Sequence, residues 1–329
     1  MDDNFEISHY RDGIDFITIK NNDLKVTLST FGAGVYSLYF KDEPLVMELK
    51  DKEDYLKNAQ FFGKTLGVVA GRIPSFIEVD GSRHHLLEDG EFPFSLHGGK
   101  LNSLSFKNFK YEVKDYSRRI DVIFKISPRK NENGFPGKCN LKIIYSLNKF
   151  KNSLKIKFKG SIKETSLLNL SNHIYWNLNR SKDVNDYYLK FNAPQIGKNR
   201  EDLLIVGKVD TPEYLDFKKS RKLKPCLDKA SKTCMKTIDN TFIFANEGKL
   251  NEVFLQNKEY QIKMKTNYEA MNIYVDSSLT PLSFANRDDF LERRAIALEP
   301  QKFVLDLENI TYRKNDKYDY SIEYLIKRR

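Results

Sequence analysis

Residues 139–160, CNLKIIYSLNKFKNSLKIKFKG, contain two runs in which apolar and polar side chains alternate. The first run is CNLKIIYSL (139–147), the second is SLKIKFKG (153–160), and the turn-forming stretch NKFKN separates them. A period of two is typical of β-strands, because successive side chains of a strand point to opposite faces of a sheet. The stretch therefore predicts a β-hairpin with one buried face.

Working outward, the same alternation recurs in four further runs. They are YEVK (111–114), RIDVIFKI (119–126), IDFITI (14–19) and LKVTLS (24–29). Strands at such short spacing favour an antiparallel sandwich over βαβ units. Helix is predicted only in short segments, at residues 51–56 and 283–287. No repeat or linker divides the chain, so we expect a single domain over residues 1–329.

The composition excludes several classes of protein. The chain has 55 basic and 45 acidic residues, but the lysines are scattered, which indicates a solvated surface rather than a nucleic-acid partner. The two concentrated basic stretches, residues 217–224 and 327–329, are expected to be an exposed loop and a tail. The three cysteines lack C-x-x-C spacing, so a disulfide framework is not expected. With no run of about 20 apolar residues, we expect a cytoplasmic protein without a membrane partner.

Two of the five histidines lie in contexts that suit a binding site. His173 lies in LNLSNHIYWNL (168–178), where amides and aromatic rings could satisfy the hydroxyls and the apolar face of a sugar. His97 lies in FSLHGG (94–99), where paired glycines let the backbone approach a ligand closely. Taken singly, each histidine is better interpreted as a surface or structural residue. His9 and the pair His84 and His85 are expected to be exposed.

Three further polar residues are candidates. Glu299 follows an apolar run in AIALEPQ (295–301), and apolar surroundings raise the pKa of a carboxylate towards the range of a general base. Arg72 offers a fork of donors and Asp239 offers acceptors for vicinal hydroxyls. Taken singly, Glu299 is better interpreted as an ordinary carboxylate at a surface strand end, and Arg72 and Asp239 as members of a surface ion pair or a turn cap.

Six short motifs, taken together in their order along the chain, favour a functional role for these residues. They are GRI (71–73), LHGG (96–99), GFPG (134–137), NHIYWNL (172–178), IDN (238–240) and LEPQ (298–301). Together they resemble the aldose 1-epimerase (galactose mutarotase) family, over most of the chain. The resemblance implies an all-β fold, a large antiparallel β-sandwich of the galactose mutarotase-like supersandwich type with a few short helices. It also implies no cofactor and no metal.

The same resemblance assigns roles to individual residues. It makes His173 the general acid and Glu299 the general base of an isomerase that interconverts the α and β anomers of a free aldohexose, galactose or glucose. The groups that would bind the sugar are Arg72, His97, Asp239 and Asn272. The chain departs from the family at Gly71, where many members have Asn, and at Asn272, where Gln is common.

Two alternatives remain open from the sequence. An epimerase of a hexose 6-phosphate would need an additional Arg or Lys in the cleft, and a non-catalytic sugar-binding protein could keep the fold without the reaction. The presence of both His173 and Glu299 favours an enzyme. A small-molecule sugar is the expected partner, and the oligomeric state stays open, with a homodimer among the alternatives.

Overall fold

The computed structural model describes residues 4–90, 92–180, 183–246, 248–276, 282–285 and 292–329. In this part of the chain, every ladder between strands is antiparallel. The helices are short, as the sequence predicted: α1 (Lys52–Lys57) and α2 (Leu223–Ala230). Neither is long enough to cross a membrane.

The strands are numbered in chain order. The first ten are β1 (Phe5–His9), β2 (Asp15–Lys20), β3 (Leu24–Ser29), β4 (Gly34–Phe40), β5 (Glu43–Pro44), β6 (Thr65–Leu66), β7 (Arg72–Pro74), β8 (Phe76–Val79), β9 (Ser82–His85) and β10 (Phe94–Leu96). The next ten are β11 (Lys110–Asp115), β12 (Arg119–Ile126), β13 (Cys139–Asn148), β14 (Ser153–Ile162), β15 (Ser166–Leu167), β16 (Ser171–Asn172), β17 (Tyr175–Trp176), β18 (Tyr188–Lys190), β19 (Gln195–Asn199) and β20 (Ile205–Asp210). The last eight are β21 (Arg221–Lys222), β22 (Asp239–Ile243), β23 (Asn251–Gln256), β24 (Tyr260–Thr266), β25 (Ala270–Val275), β26 (Ile296–Gln301), β27 (Thr311–Tyr312) and β28 (Lys317–Arg328).

Three sheets form the body of the molecule. The largest has nine strands in the order β11-β12-β13-β14-β28-β24-β23-β18-β21. A six-stranded sheet has the order β17-β26-β25-β22-β19-β20, and a five-stranded sheet runs from β1 to β5 in sequence order. Strands from all three sheets contribute to one large apolar core, so the sheets pack face to face as a sandwich.

The predicted hairpin of residues 139–160 is confirmed as β13 and β14. Its alternation is the reason for its placement: Ile143, Tyr145 and Leu147 on β13 are fully buried, while the residues between them are partly exposed. Ile156 and Phe158 on β14 face the same core. Burying each large apolar side chain contributes about 1.5–3 kcal/mol. The other predicted strands are also present, as β2, β3, β11 and β12.

Strand β28 holds the largest sheet together. It pairs with β14 on one side and with β24 on the other. Its residues Ile322, Tyr324 and Ile326 are buried in the core. Strand β28 therefore lies in the middle of the sheet. On one side of it are the strands from the first half of the chain, β11 to β14, and on the other side are strands from the second half, β24, β23, β18 and β21.

The predicted helix at residues 51–56 is confirmed with a shift of one residue. Asp51 is the N-cap of α1, and its side chain accepts a hydrogen bond from the backbone N–H of Glu53. The helix predicted at residues 283–287 is not found in its described part, because Phe284 forms an extended bridge with Leu49. Residues 286 and 287 lie outside the described residues.

The expectation of exposure for the basic stretch 217–224 is partly wrong. Phe217 and Leu223 are buried in the main core, and Leu223 begins α2, a helix that the sequence did not predict. Residues 327–329 are exposed, but Lys327 and Arg328 end β28 rather than form a tail.

Candidate active site

The six side chains that the sequence predicted line one cleft of about 220 Å³: Arg72, His97, His173, Asp239, Asn272 and Glu299. Asn272 and Glu299 are directly opposite each other on β25 and β26, and Asp239 is at the start of the neighbouring β22. Strand β7, which begins with Arg72, pairs with β10, and His97 follows β10 directly. Pairing of adjacent antiparallel strands therefore brings these residues, which are far apart in sequence, to the same cleft.

His173 reaches the same cleft from the short strand β16. Pairing of β16 with β6 fixes the backbone, and the backbone N–H of His173 donates to the carbonyl oxygen of Lys64 at 2.9 Å. The imidazole stacks on the ring of Tyr175, with centroids 4.6 Å apart. His173 is 4% exposed, so it contacts a bound molecule only from within the cleft.

His173 and Glu299 form a buried pair. Nε2 of His173 lies 3.5 Å from Oε1 of Glu299, and Glu299 is 1% exposed. Burial raises the pKa of Glu299 to about 8; Asp239 adds to the rise, and Asn272 and Arg72 oppose it. Burial lowers the pKa of His173 to about 4. Neither oxygen of Glu299 has a hydrogen-bond partner among the described residues.

These opposite shifts fix how many protons the pair carries. Removing a charged group from water disfavours its charged form, so a carboxylic acid holds its proton and an imidazole gives it up. Between the two pKa values, the pair of His173 and Glu299 holds one transferable proton in total, which is a property of the pair rather than of either residue. The arrangement can accept one proton and donate another.

Beside this pair, three polar side chains are linked in a chain. Nη2 of Arg72 donates to Oδ2 of Asp239 at 2.9 Å, and Nδ2 of Asn272 donates to Oδ1 of the same carboxylate at 3.1 Å. Burial opposes the positive charge of Arg72, but the charge and the hydrogen bond of Asp239 outweigh it and raise the pKa of the guanidinium. Thr241 in turn donates to Oδ1 of Asn272 at 3.2 Å. The chain presents fixed donors and acceptors to the cleft.

His97 is held as a neutral donor. Its Nδ1 accepts the backbone N–H of Gly71 at 3.1 Å, so in the neutral ring Nε2 carries the proton. Burial lowers the pKa of His97 well below its usual value, and the positive charges of His173 and Arg72 add to this. His97 itself has φ +50°, and Gly98, with φ +83°, leaves no room for a Cβ, which would lie 2.3 Å from the carbonyl oxygen of Gly67.

The same tautomer bears on metal binding. His97, His173 and Glu299 each place one ligand-type atom within 4.8 Å of the others. A nitrogen that carries a proton has no lone pair for a metal, however, and the backbone N–H of Gly71 already occupies the other ring nitrogen of His97. The cluster therefore suits hydroxyl groups better than a metal ion.

Comparison with known proteins places the chain in a family. The model of the family described as aldose 1-epimerase matches residues 15–324. The chain belongs to the aldose 1-epimerase family. Among named relatives of this family, the bifunctional protein gal10 of Schizosaccharomyces pombe is 29% identical over 90% of this chain and 42% of its own length. Human galactose mutarotase is 28% identical over 58% of this chain and 56% of its own length.

The chain thus spans about half the length of these two aldose 1-epimerase relatives. The aldose 1-epimerase of Haemophilus influenzae is 24% identical over 87% of this chain and 85% of its own length. Among solved structures, galactose 1-epimerase from Lactobacillus acidophilus superimposes with a TM-score of 0.88 at 22% identity, covering 99% of this chain and 98% of that one. At this identity the structural match shows the fold alone, and it confirms the predicted sandwich.

The cleft also contains residues that the sequence did not predict. Phe61 lies edge-on to His97 at 4.8 Å and faces His173 at 6.3 Å, so one ring packs against both imidazoles. Further lining residues are Asn199, Leu203 and Ile205 of the β19–β20 hairpin, Gln301 at the end of β26, and Val304 beyond it. Gln301 lies in the LEPQ motif, but no local sequence signal marks the other four, because their position depends on contacts between distant segments.

The lining of the cleft also bears on the phosphate alternative. Among the described residues that line it, Arg72 is the one Arg or Lys side chain, and it is bound to Asp239. The additional cation that a hexose 6-phosphate would call for is not found among them. Among the described lining residues, therefore, no Arg or Lys is left over to pair with a phosphate.

Proposed function

We propose that the protein interconverts the α and β anomers of a free aldohexose, galactose or glucose, by opening and closing the ring. The observation that carries this proposal is the buried pair of His173 and Glu299, 3.5 Å apart with opposite pKa shifts. Anomerisation needs a base at the C1 hydroxyl and an acid at the ring oxygen, which are bonded to the same carbon. A pair that holds one proton supplies both roles at once.

The proton balance closes over one cycle. In the resting pair the one proton is on Glu299; ring opening starts from the other arrangement of the same proton, with His173 protonated and Glu299 ionised. Glu299 takes the proton of the C1 hydroxyl, His173 gives its proton to the ring oxygen, the C1–O5 bond breaks and an open-chain aldehyde forms. Rotation about C1–C2 exposes the other face of the carbonyl. Glu299 then returns its proton to the carbonyl oxygen while His173 takes the proton from the attacking hydroxyl, so the enzyme ends as it began.

The binding groups match a sugar held in this pose. Arg72 and the Nε2–H of His97 are donors, whereas Asp239 and Asn272 offer acceptor oxygens, so hydroxyl groups can be met in both senses. The rings of Phe61 and Tyr175 supply apolar surface for the C–H face of a pyranose. Donors, acceptors and apolar surface together support a polyhydroxylated substrate.

Three broader expectations belong with this proposal. A single domain over residues 1–329 is supported by the family match to residues 15–324 and by one core shared by all three sheets. A cytoplasmic location is supported by three cysteines that are all free. A homodimer stays a prediction that size-exclusion chromatography with light scattering tests.

The decisive experiment follows the optical rotation of freshly dissolved α-D-galactose and α-D-glucose, with glucose 6-phosphate in parallel. We expect the protein to accelerate mutarotation of the free sugars and not of the phosphate. His173→Ala and Glu299→Ala should each reduce the rate by about 10²–10⁴-fold, the usual contribution of a positioned acid or base. His9→Ala and Glu78→Gln, at exposed positions outside the cleft, are matched controls that should keep full activity. Binding of galactose without any acceleration would refute the enzymatic proposal.

A further inference from the structure

The tip of the β19–β20 hairpin forms one wall of the cleft and has no role in the reaction described above. Its residues Asn199, Leu203 and Ile205 line the cleft. The register of the hairpin shifts next to Asn199: Lys198 is opposite Gly207, whereas Asn199 is opposite Ile205. Such a β-bulge re-aims the side chains beside it and is common next to active sites.

The amide of Asn199 has a defined orientation. Its Nδ2 donates to the carbonyl oxygen of Leu203 at 3.2 Å, and because a carbonyl oxygen is only an acceptor, the reversed amide would place two oxygens together. The hydrogen bond to Leu203 therefore identifies which atom of the amide is Nδ2 and which is Oδ1. This Oδ1 is buried and has no hydrogen-bond partner within the described part of the chain. Buried acceptors are nearly always satisfied, so this one, on a residue that lines the cleft, suits a hydrogen-bond donor of a bound molecule.

The tip is held by its own hydrogen bonds. The backbone N–H of Arg200 donates to the carbonyl oxygen of Leu204 at 2.8 Å, and that of Leu203 donates to the carbonyl oxygen of Arg200 at 2.9 Å. Arg200 and Asp202 form an ion pair across the turn. Leu203 has φ +67°, a conformation that side chains other than glycine adopt only when their surroundings hold them. The acceptor of Asn199 is thus presented by a preorganised turn.

The position of β19 in the sheet indicates which part of a sugar this acceptor meets. Glu299 is on β26, and β19 is three strands away, across β25 and β22. At about 4.8 Å per strand, the two backbones are roughly 14 Å apart. A ring whose C1 lies at Glu299 therefore extends its opposite side towards Asn199.

We propose that Oδ1 of Asn199 is a specificity-determining acceptor for a sugar hydroxyl remote from C1. The proposal rests on the function proposed above and adds a substrate class to it: an aldose with an unmodified hydroxyl donor at that position. A phosphate or carboxylate there would present only acceptors to an acceptor. Leu203 and Ile205 line the same wall and exclude water from the contact.

The test compares Asn199→Ala with the wild-type protein in the mutarotation assay, using galactose and its 2-, 3-, 4- and 6-deoxy forms. We expect KM for galactose to rise about threefold to tenfold, the effect of one neutral hydrogen bond, with kcat unchanged. One deoxy sugar should show the same rise with the wild-type protein and no further rise with the variant. Lys198→Ala, an exposed neighbour on the same strand, is the matched control and should behave as the wild type.

The outcomes separate the two proposals. If the wild-type protein accelerates mutarotation but Asn199→Ala leaves KM unchanged for every sugar, the role of Asn199 is refuted and the function stands. A lower kcat with unchanged KM would also refute it, because that pattern indicates an interaction made only in the transition state, whereas the proposed contact to a remote hydroxyl is already made in the bound ground state. If the wild-type protein is inactive, the proposed function fails. Calorimetric titration with galactose then tests Asn199 on its own: a dissociation constant raised threefold to tenfold supports the contact, and an unchanged one refutes it.

Discussion

Replacing Glu299 by Gln should change how the stability of the fold depends on pH. Burial raises the pKa of this carboxyl from 4.5 to about 8. The folded protein therefore binds the proton more tightly than the unfolded chain does. This stabilisation is fully present below pH 4.5 and is lost as the pH rises towards 8. Gln has a similar shape and no proton to lose, so the variant lacks this dependence.

The magnitude follows from the two pKa values. The difference of about 3.5 pH units, from 4.5 to 8, corresponds to about 5 kcal/mol at 1.36 kcal/mol per unit. At pH 7, about 3 kcal/mol of it has been lost. The difference in free energy of unfolding, Glu299→Gln minus wild type, should thus increase by about 1.4 kcal/mol per pH unit between pH 5 and 8. Above pH 8 this difference should become constant.

Urea unfolding at half-unit steps from pH 5 to 9 measures this difference. Trp176 is the one tryptophan of the chain and is fully buried, so its fluorescence reports loss of the core. The matched control for the substitution itself is Glu78→Gln, which replaces an exposed carboxyl outside the cleft. A flat difference for Glu299→Gln would refute the reasoning, because the carboxyl would then ionise as easily in the folded protein as in the unfolded one.

Three further predictions concern the cleft. A pair that holds one proton between pKa values of about 4 and 8 should give a bell-shaped pH profile of kcat/KM. The value should fall below pH 4 because the pair then lacks a base, and above pH 8 because it lacks an acid. A profile that stays level from pH 7 to 9.5 would contradict this. Asp239→Asn removes a negative charge that raises the pKa of Glu299, so the alkaline limb of that profile should move to lower pH. Because the variant also weakens the contacts to Arg72 and Asn272, kcat/KM should fall at least about tenfold. An alkaline limb that stays in place would contradict this prediction. Gly98→Ala should lower the free energy of unfolding by about 2 kcal/mol or more, because the added Cβ would lie only 2.3 Å from a backbone oxygen. The control Gly207→Ala has open space around the added Cβ and should change the free energy of unfolding by less than about 1 kcal/mol. Calorimetry measures both variants, and equal stabilities would contradict the predicted clash.

The sequence predicted strands well where a strand has one buried face. In β12, β13 and β14 the alternation of side chains is a direct consequence of burial on one side, so the pattern gave their starts correctly and their ends to within two residues. It predicted less well where the chain leaves that arrangement. Helix α2 is short and lysine-rich, with Pro225 in its first turn, and only contacts of Leu223 and Leu227 with the distant core reveal its apolar side.

The candidate site divides in the same way. His173 and Glu299 could be predicted, because motifs around them are local in sequence and occur in a recognisable order. Their opposite pKa shifts could not, since these depend on burial by segments hundreds of residues apart. The wall formed by Asn199 was missed for a related reason: a polar residue near a turn looks the same in sequence whether it faces solvent or a cleft.

The central position of β28 has a consequence for the order of events during synthesis. Its partner β14 lies about 170 residues earlier, as the contact of Ser153 with Glu323 illustrates. While the ribosome is still translating residues 317–328, β14 and β24 each expose an unpaired edge. Until β28 is synthesised, both edges are open to pairing with foreign strands, and chaperones that cover such edges should raise the yield of folded protein.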